Sequence, residues 1–307
     1  MINYYFRTVK DAEIKEIDGI RNGVWVHAEN PTDTEFAELT ATLKLDEGIM
    51  EDAKDFFEVP RLERSEGNTY FFTRYSYNEQ SEDIDTAPLL IVMGESFVLT
   101  VSLRPVSQLE YIRRSPKSIY TTQKTKLFIN IMEEITNAFE RQLIGLRRAV
   151  HRDRAQLRKI GNKEIVRFVN YEHRINDMVA ALVPTNVALL KVMNGHYFSI
   201  YEDDREEVED LRIANEQAVD SARILLKTIQ NVRSASEAIL TNNLNNRIKT
   251  LTVLTILLTV PTIVSSLFGM NVPLPLEDNQ YAFEFVIAVV LGVVALAVWY
   301  FKRNEWL

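Results

Sequence analysis

The sequence predicts an α+β cytoplasmic domain, a mixed α/β sandwich, followed by a long helical stalk and two C-terminal transmembrane helices. Three observations carry this. Short β-branched and aromatic segments fill the first third of the chain. Apolar stripes at spacings of three and four begin near residue 124, and two uncharged apolar runs occupy the last sixth.

The strand candidates are residues 2–9, 23–27, 69–77, 87–92 and 96–101, with Gly94-Glu95 as a tight hairpin turn between the last two. Asn30-Pro31-Thr32 introduces a helix over about 33–43, and a second covers 46–57. Strands interrupted by helices and one hairpin make residues 1–123 a layered α/β domain.

Leu127, Ile131, Ile135, Phe139, Leu143 and Leu146 form a helical stripe, and after a break at Gly161-Asn162 another helix runs to about Asn194. Residues 124–203 are therefore expected to be antiparallel helices. A further stripe of Leu211, Ala214, Ala218, Ala222, Leu225, Ile229, Val232, Ala235 and Ile239 runs without proline or glycine into the first apolar run. One helix over 204–268 accounts for it, and its alanines suit close helix neighbours. Charge is segregated: a basic stretch over 141–174 contrasts with an acidic one over 202–210. Such runs are either solvated faces or, for the acidic cluster, a surface for divalent cations or a basic partner.

No charged residue falls between Thr250 and Leu276, and residues 251–270 alone would span about 30 Å as a helix, the thickness of the hydrocarbon layer. The second run, 285–301, is flanked by Tyr281 and Phe283 on one side and by Trp299, Tyr300 and Trp306 on the other, as in interfacial aromatic belts. Arg247 and Lys249 precede the first run, and Lys302 and Arg303 open a basic tail over 302–307. The loop over 269–284 carries Glu277, Asp278 and Glu284 and no basic residue. The positive-inside rule then places both termini in the cytoplasm and the loop outside a cell membrane crossed twice.

Composition excludes several classes of function. Of 307 residues none is cysteine, which removes disulfides and thiolate sites, and four scattered histidines make no zinc cluster. A net charge of −8 opposes nucleic-acid binding. There is no Gly-rich phosphate loop, and no organic cofactor is implied. No His, Ser or metal constellation accompanies the acidic residues, so an enzyme is not supported.

Thr252, Thr255, Thr259, Thr262 and Ser266 recur at intervals of three and four, which puts five hydroxyls on one side of the first span. Asn245 and Ile248 continue that side, and Pro261 frees the carbonyl of Leu257. Hydroxyls can bond back to their own i−4 carbonyls. Five in register suit a water-filled or helix-packed surface better. One helix cannot enclose a pore, so a wet stripe requires several copies of the chain around an axis.

The first span closes on Gly269-Met270-Asn271, and the chain ends with Lys302, Arg303 and Trp306. This signature, the two-span layout and the segment from Asn245 to Thr252 resemble the CorA family of magnesium channels. Met50-Glu51-Asp52 followed by Pro60-Arg61-Leu62-Glu63 resembles a weaker motif of that family. The resemblance implies a homopentameric funnel in which the first span lines the pore and the second is peripheral. It implies that Gly269, Met270 and Asn271 form the entrance, with Asn271 meeting the hydrated ion. Asn245, Ile248 and Leu251 would be the inner constriction and Thr262 a polar ring between. It also implies a regulatory metal site between subunits, on Asp52 and Asp210. The family's usual Met-Pro-Glu-Leu in the outer loop is replaced by Pro273-Leu274-Pro275-Leu276-Glu277-Asp278, where Glu277 and Asp278 would form an outer acidic ring. Met270, where the zinc-transporting branch usually has isoleucine, argues for Mg²⁺, with Co²⁺ a related cargo.

Mg²⁺ sheds water reluctantly, and a ring of neutral amides can bond its hydration shell without stripping it. A divalent ion gains roughly 4.6 kcal/mol per 100 mV moving inward, so no nucleotide need drive the flux. Two other classes fit the same layout: a proton-coupled exporter of zinc or another divalent cation, and a non-conducting membrane-anchored scaffold.

Overall fold

The computed structural model describes residues 1–77, 86–114, 119–155, 162–195, 197, 201–270, 281–304 and 306. Two compact units divide the chain, Met1–Arg233 and Ser234–Leu307.

In the first unit the strands are β1 (Ile2–Phe6), β2 (Lys15–Glu16), β3 (Val24–Glu29), β4 (Arg61–Ser65), β5 (Asn68–Ser76), β6 (Thr86–Met93) and β7 (Phe97–Ser102). The helices are α1 (Asp33–Leu43), α2 (Glu47–Asp52), α3 (Ser107–Arg114), α4 (Lys124–Ala155), α5 (Asn162–Met193) and the first part of α6 (Glu202–Phe268). The strands form one sheet in the order β2-β1-β3-β7-β6-β5-β4, antiparallel except for the β3–β7 pair.

Alternation along the strands sorts side chains into two cores. Phe71 and Tyr75 of β5 and Leu89 and Ile91 of β6 face one way, into a core shared with α3–α6. Tyr70, Phe72, Leu90 and Val92 face the other, against Phe36, Leu39 and Met50 of α1 and α2. The unit is thus helix–sheet–helix in three layers.

Local chemistry fixes the joints. Thr32 caps α1 in a capping box with Glu35, and Asp46 caps α2 through the Ile49 N–H. In the β6–β7 turn, a Cβ on Gly94 would come within 2.3 Å of the Phe97 ring. Only glycine fits there.

The sequence expectations differ from the structure at four places. Helix α2 stops at Asp52 rather than near residue 57, because Ala53–Glu58 turns under Arg74, whose guanidinium donates to the Phe56 and Glu58 carbonyls. Strands β2 and β4 and helix α3 were not expected: all three are short and carry charge. The stripe on α6 is buried only as far as Val232, and Ala235 is exposed. Asp204, inside the acidic run, is buried rather than solvated.

Helix α5 is long and apolar enough to cross a membrane, as are α6 and α7 (Ala282–Arg303). However, α5 lies against the sheet, where Phe168, Ile175, Met178, Leu182 and Leu189 are in the core, and Asn215 of α6 donates to its Leu182 carbonyl at 3.0 Å.

Burial pushes the His27 imidazole down to about 4. Its Nδ1 meets Thr100 Oγ1 at 2.9 Å, and the same oxygen accepts from Trp25 Nε1 at 3.0 Å. The folded state therefore holds His27 neutral, whereas the unfolded chain binds a proton near pH 6.5. Stability from this group is complete above that pH and is lost as pH falls towards 4, by roughly 3 kcal/mol in all. Thermal melts of the wild type and His27→Gln between pH 7 and 4 should diverge, with the wild type losing more.

Candidate functional site: the polar face of the first membrane span

The second unit contains the rest of α6 and all of α7. Along α6, positions 253, 257, 260, 261 and 264 are buried or half-buried, and on α7 so are 286, 290, 294, 297 and 301. Both sets have helical spacing, and the two apolar stripes cover one another. Val253 and Phe301, at 1 % and 9 % exposure, are their most enclosed members.

The hydroxyl stripe lies on the other side. At 100° per residue, Thr252, Thr255, Thr259, Thr262 and Ser266 centre about 150° from the stripe that packs on α7. Asn245, Ile248 and Leu251 fall on the hydroxyl side. Thr252, Thr255, Thr259, Thr262 and Ser266 are all exposed, as are Asn245, Ile248 and Leu251. Thus all eight positions share one uncovered face.

The threonine protons are used locally. Thr252, Thr255, Thr259 and Thr262 donate to the carbonyls of Ile248, Leu251, Thr255 and Leu258 at 2.9, 2.9, 2.7 and 2.8 Å. Back-bonding and a polar face are not alternatives: once its proton is held, each oxygen still presents lone pairs, and only lone pairs, outward. The face is a ladder of acceptors.

Helix α6 ends at Phe268, where the Gly269 N–H bonds Ser265 O at 3.0 Å and the Met270 N–H bonds Leu267 O at 3.3 Å. A Cβ on Gly269 would lie 3.3 Å from the Ser265 carbonyl, so a larger residue would crowd this ending. The negative end of the helix dipole sits there with no basic residue in the last turn. Asn271, Glu277 and Asp278 lie outside the described residues.

At the opposite end of the span, Lys249 Nζ stands 5.9 Å from the Trp306 ring, and Arg303 lies 5.3 Å from Trp299. These basic–aromatic contacts mark an interfacial level.

In the first unit the two expected regulatory carboxylates have different surroundings. Asp52 is half exposed and pairs with Arg61 Nη2 at 2.6 Å. Arg61 also bonds Glu58 and Glu63 and lies 4.1 Å over the Phe72 ring. Asp210 is exposed on α6 and makes no ion pair or hydrogen bond among the described residues. Its neighbour Glu209 is instead clasped by Arg212, which draws its carboxyl below the usual range. No group of three metal-binding side chains converges within one chain among the described residues. Arg61 was visible in the sequence only as part of a motif; its neutralising role could not be read without the β4–β5 pairing.

A long apolar helix with a row of four threonine acceptors opposite its apolar stripe, in a chain that also carries an α/β unit, defines the layout of a membrane protein. The pattern of the family described as "CorA-like Mg2+ transporter protein" matches residues 21–303. The chain belongs to this CorA family of magnesium and cobalt transporters, not to any class of enzyme. It is 23% identical over 301 residues to the cobalt/magnesium transport protein CorA of Methanocaldococcus jannaschii, covering 92% of this chain and 91% of that one. The complete structure of the CorA magnesium transporter from the same organism superposes with a TM-score of 0.85 at 19% identity, covering 100% of this chain and 99% of that one. The cytoplasmic domain of ZntB from Vibrio parahaemolyticus matches with a TM-score of 0.67 at 9% identity, over 78% of this chain and 98% of that one.

Arg61→Met would leave three carboxylates facing each other around an apolar side chain. A fall of several degrees in the melting temperature of the full-length protein in detergent is expected, partly restored by millimolar Mg²⁺ because a divalent ion can take the place of the guanidinium.

Proposed function

We propose that this chain is a homopentameric Mg²⁺ channel of the cell membrane, with both termini cytoplasmic, α6 lining the pore and α7 on its periphery. The observation that carries the reading is the row of four threonine oxygens on α6 whose protons are held within the helix. A hexahydrated Mg²⁺ points every water proton outward, so it needs acceptors that do not compete for its inner shell. Threonine oxygens whose protons are already held meet that need, and the Asn271 carboxamide would do so at the mouth. Neutral acceptors hold the hydrated ion weakly enough for it to leave.

Ile248 and Leu251, at 51 % and 64 % exposure in the single chain, are apolar groups on the same face just inside the threonines. Rings of them close the path by dewetting, without a charged plug. Asn245 adds an acceptor below. Outside, Glu277 and Asp278 raise the local cation concentration, and the inside-negative potential drives the ion inward.

Cytoplasmic Mg²⁺ regulates this flux by binding between subunits at Asp52 and Asp210. Two considerations support this part. Asp210 carries an unmatched charge on the helix that lines the pore. No single chain offers three ligands among the described residues, so a site has to be completed by a second copy or by water.

The test is Mg²⁺ uptake into liposomes holding the purified protein under an imposed inside-negative potential. Asn271→Ala and the Thr255→Val/Thr259→Val pair should each cut the initial rate about tenfold or more while leaving the oligomer intact on a native gel, since each loses a ring of hydration-shell contacts. Unchanged rates in both would sink the pore assignment. Flux that follows an imposed proton gradient rather than the potential would mark a proton-coupled exporter of zinc or another divalent cation instead.

Asp52→Ala/Asp210→Ala should keep conduction and lose block by internal Mg²⁺, read as a rightward shift of about tenfold or more in the inhibiting concentration. Block that stays at the wild-type concentration would remove these carboxylates from the regulatory site.

A further inference from the structure

A cavity of about 830 Å³ in the first unit is lined by the opening turns of α4 and α6 together with the β6–β7 turn. The transport reading makes no use of it. Its size is that of a small-molecule site.

Lys124 builds one wall. Its Nζ donates to the Gly94 and Glu95 carbonyls at 2.6 and 2.5 Å, which fixes the β6–β7 turn against α4. Among the lining residues more than nine-tenths buried are Thr125 at 8 % exposure and Asp204 at 3 %. Neither side chain makes a hydrogen bond among the described residues. The nearest cation to Asp204 is Lys126 Nζ at 3.8 Å, an ion pair beyond hydrogen-bond reach. Thr125 lines the cavity without a hydrogen bond and Asp204 holds the Lys126 ion pair alone among the described residues, so both can still accept from a ligand.

The lining has two chemical halves. On the α4 side are Lys126, the Thr125 hydroxyl and the N–H groups of the first turn, which have no carbonyl one turn earlier to bond, and the Arg64 guanidinium adds a second positive charge. On the α6 side stand the exposed Tyr201 ring and, one turn further on, Asp204. The first half recognises an anion. The second presents an aromatic face beside a carboxylate, the pairing that takes a base by stacking and ribose hydroxyls by hydrogen bonds. Inorganic phosphate would draw Lys126 from Asp204 and Glu207 and offer those carboxylates no donor in return, and a bare divalent cation would meet two basic residues.

We propose that this cavity binds a nucleoside phosphate. The phosphates rest on Lys126, Arg64 and the first turn of α4, the ribose hydroxyls donate to Asp204, and the base lies over Tyr201. The site needs no Gly-rich loop, because a helix terminus and two side-chain cations take its place. The ligand would touch the opening turn of α6, the helix that also carries the pore-face residues.

The experiment is an equilibrium titration of the full-length protein in detergent, in EDTA buffer, with ATP carrying a fluorescent N-methylanthraniloyl group, displaced by unlabelled ATP or pyrophosphate. Saturable binding is expected, with ATP displacing the label at least about tenfold better than pyrophosphate. Lys126→Ala and Asp204→Asn should each weaken binding about tenfold, and Lys126→Arg should restore it. Tyr201→Ala should abolish the preference for ATP over pyrophosphate. Absence of saturable binding up to about 1 mM, wild-type affinity in both Lys126→Ala and Asp204→Asn, or equal displacement by pyrophosphate would each overturn the proposal. No flux is measured, so failure here leaves the channel reading untouched, and a failed uptake assay leaves this one untouched.

Discussion

Four hydroxyl protons on the polar face of α6 are held by carbonyls of the same helix, and the chemistry of the membrane unit depends on that constraint. A free threonine hydroxyl is donor and acceptor at once and can turn either way. With its proton fixed one turn back, it becomes an acceptor of fixed direction. A row of such oxygens is polar without being charged, and it distinguishes between solutes by the sign of their hydrogen bonds. Water around a small divalent cation is oriented with its protons outward, so on the proposed channel reading this face complements the hydrated ion as a unit. A row of lysines would repel it, and a row of carboxylates would hold it too long.

The first unit depends on a different kind of constraint. The only parallel pair in its sheet joins β3 to β7, with His27 opposite Thr100 in register. The Trp25 indole and the His27 imidazole both meet the Thr100 hydroxyl across that pair. A slip of one residue would break both bonds and turn Trp25 out of its core into the opposite layer. The network thus fixes the register at the point where strand order departs from simple hairpins. It does so with a group that must stay neutral, which ties the integrity of the sheet to pH.

Much of this was legible in the sequence, for reasons that can be named. Strands β1, β3, β5, β6 and β7 announce themselves through β-branched and aromatic residues, and α1 through Thr32 and Glu35. Strand β4 does not: Arg61-Leu62-Glu63-Arg64-Ser65 has three charged positions in five, and it is a strand because β5 offers it an edge and Phe72 receives the Arg61 guanidinium. Spacing alone put five hydroxyls on one face of α6, yet the direction of their protons is a matter of geometry. Asp204 was hidden for a simpler reason. It sits among exposed acidic residues, and nothing in composition separates the one carboxylate that turns inward from those that stay in water.

The two faces of α6 in the membrane unit also argue for assembly. One apolar stripe is covered by α7, whose own stripe at 286, 290, 294, 297 and 301 it matches. The opposite face carries oxygens with unused lone pairs, and α7 cannot reach it at about 150° around the helix. Acyl chains offer no donor to the remaining lone pairs of those oxygens. Water offers donors but cannot be held in the hydrocarbon layer by a single helix. The channel proposed above satisfies both conditions with a closed ring of identical helices, each turning its hydroxyls inward to a shared column of water and its apolar stripe outward to α7. On the proposed reading the pore is thus not an addition to the fold: the hydroxyl face and the apolar stripe lie on opposite sides of one span, and the ring uses both.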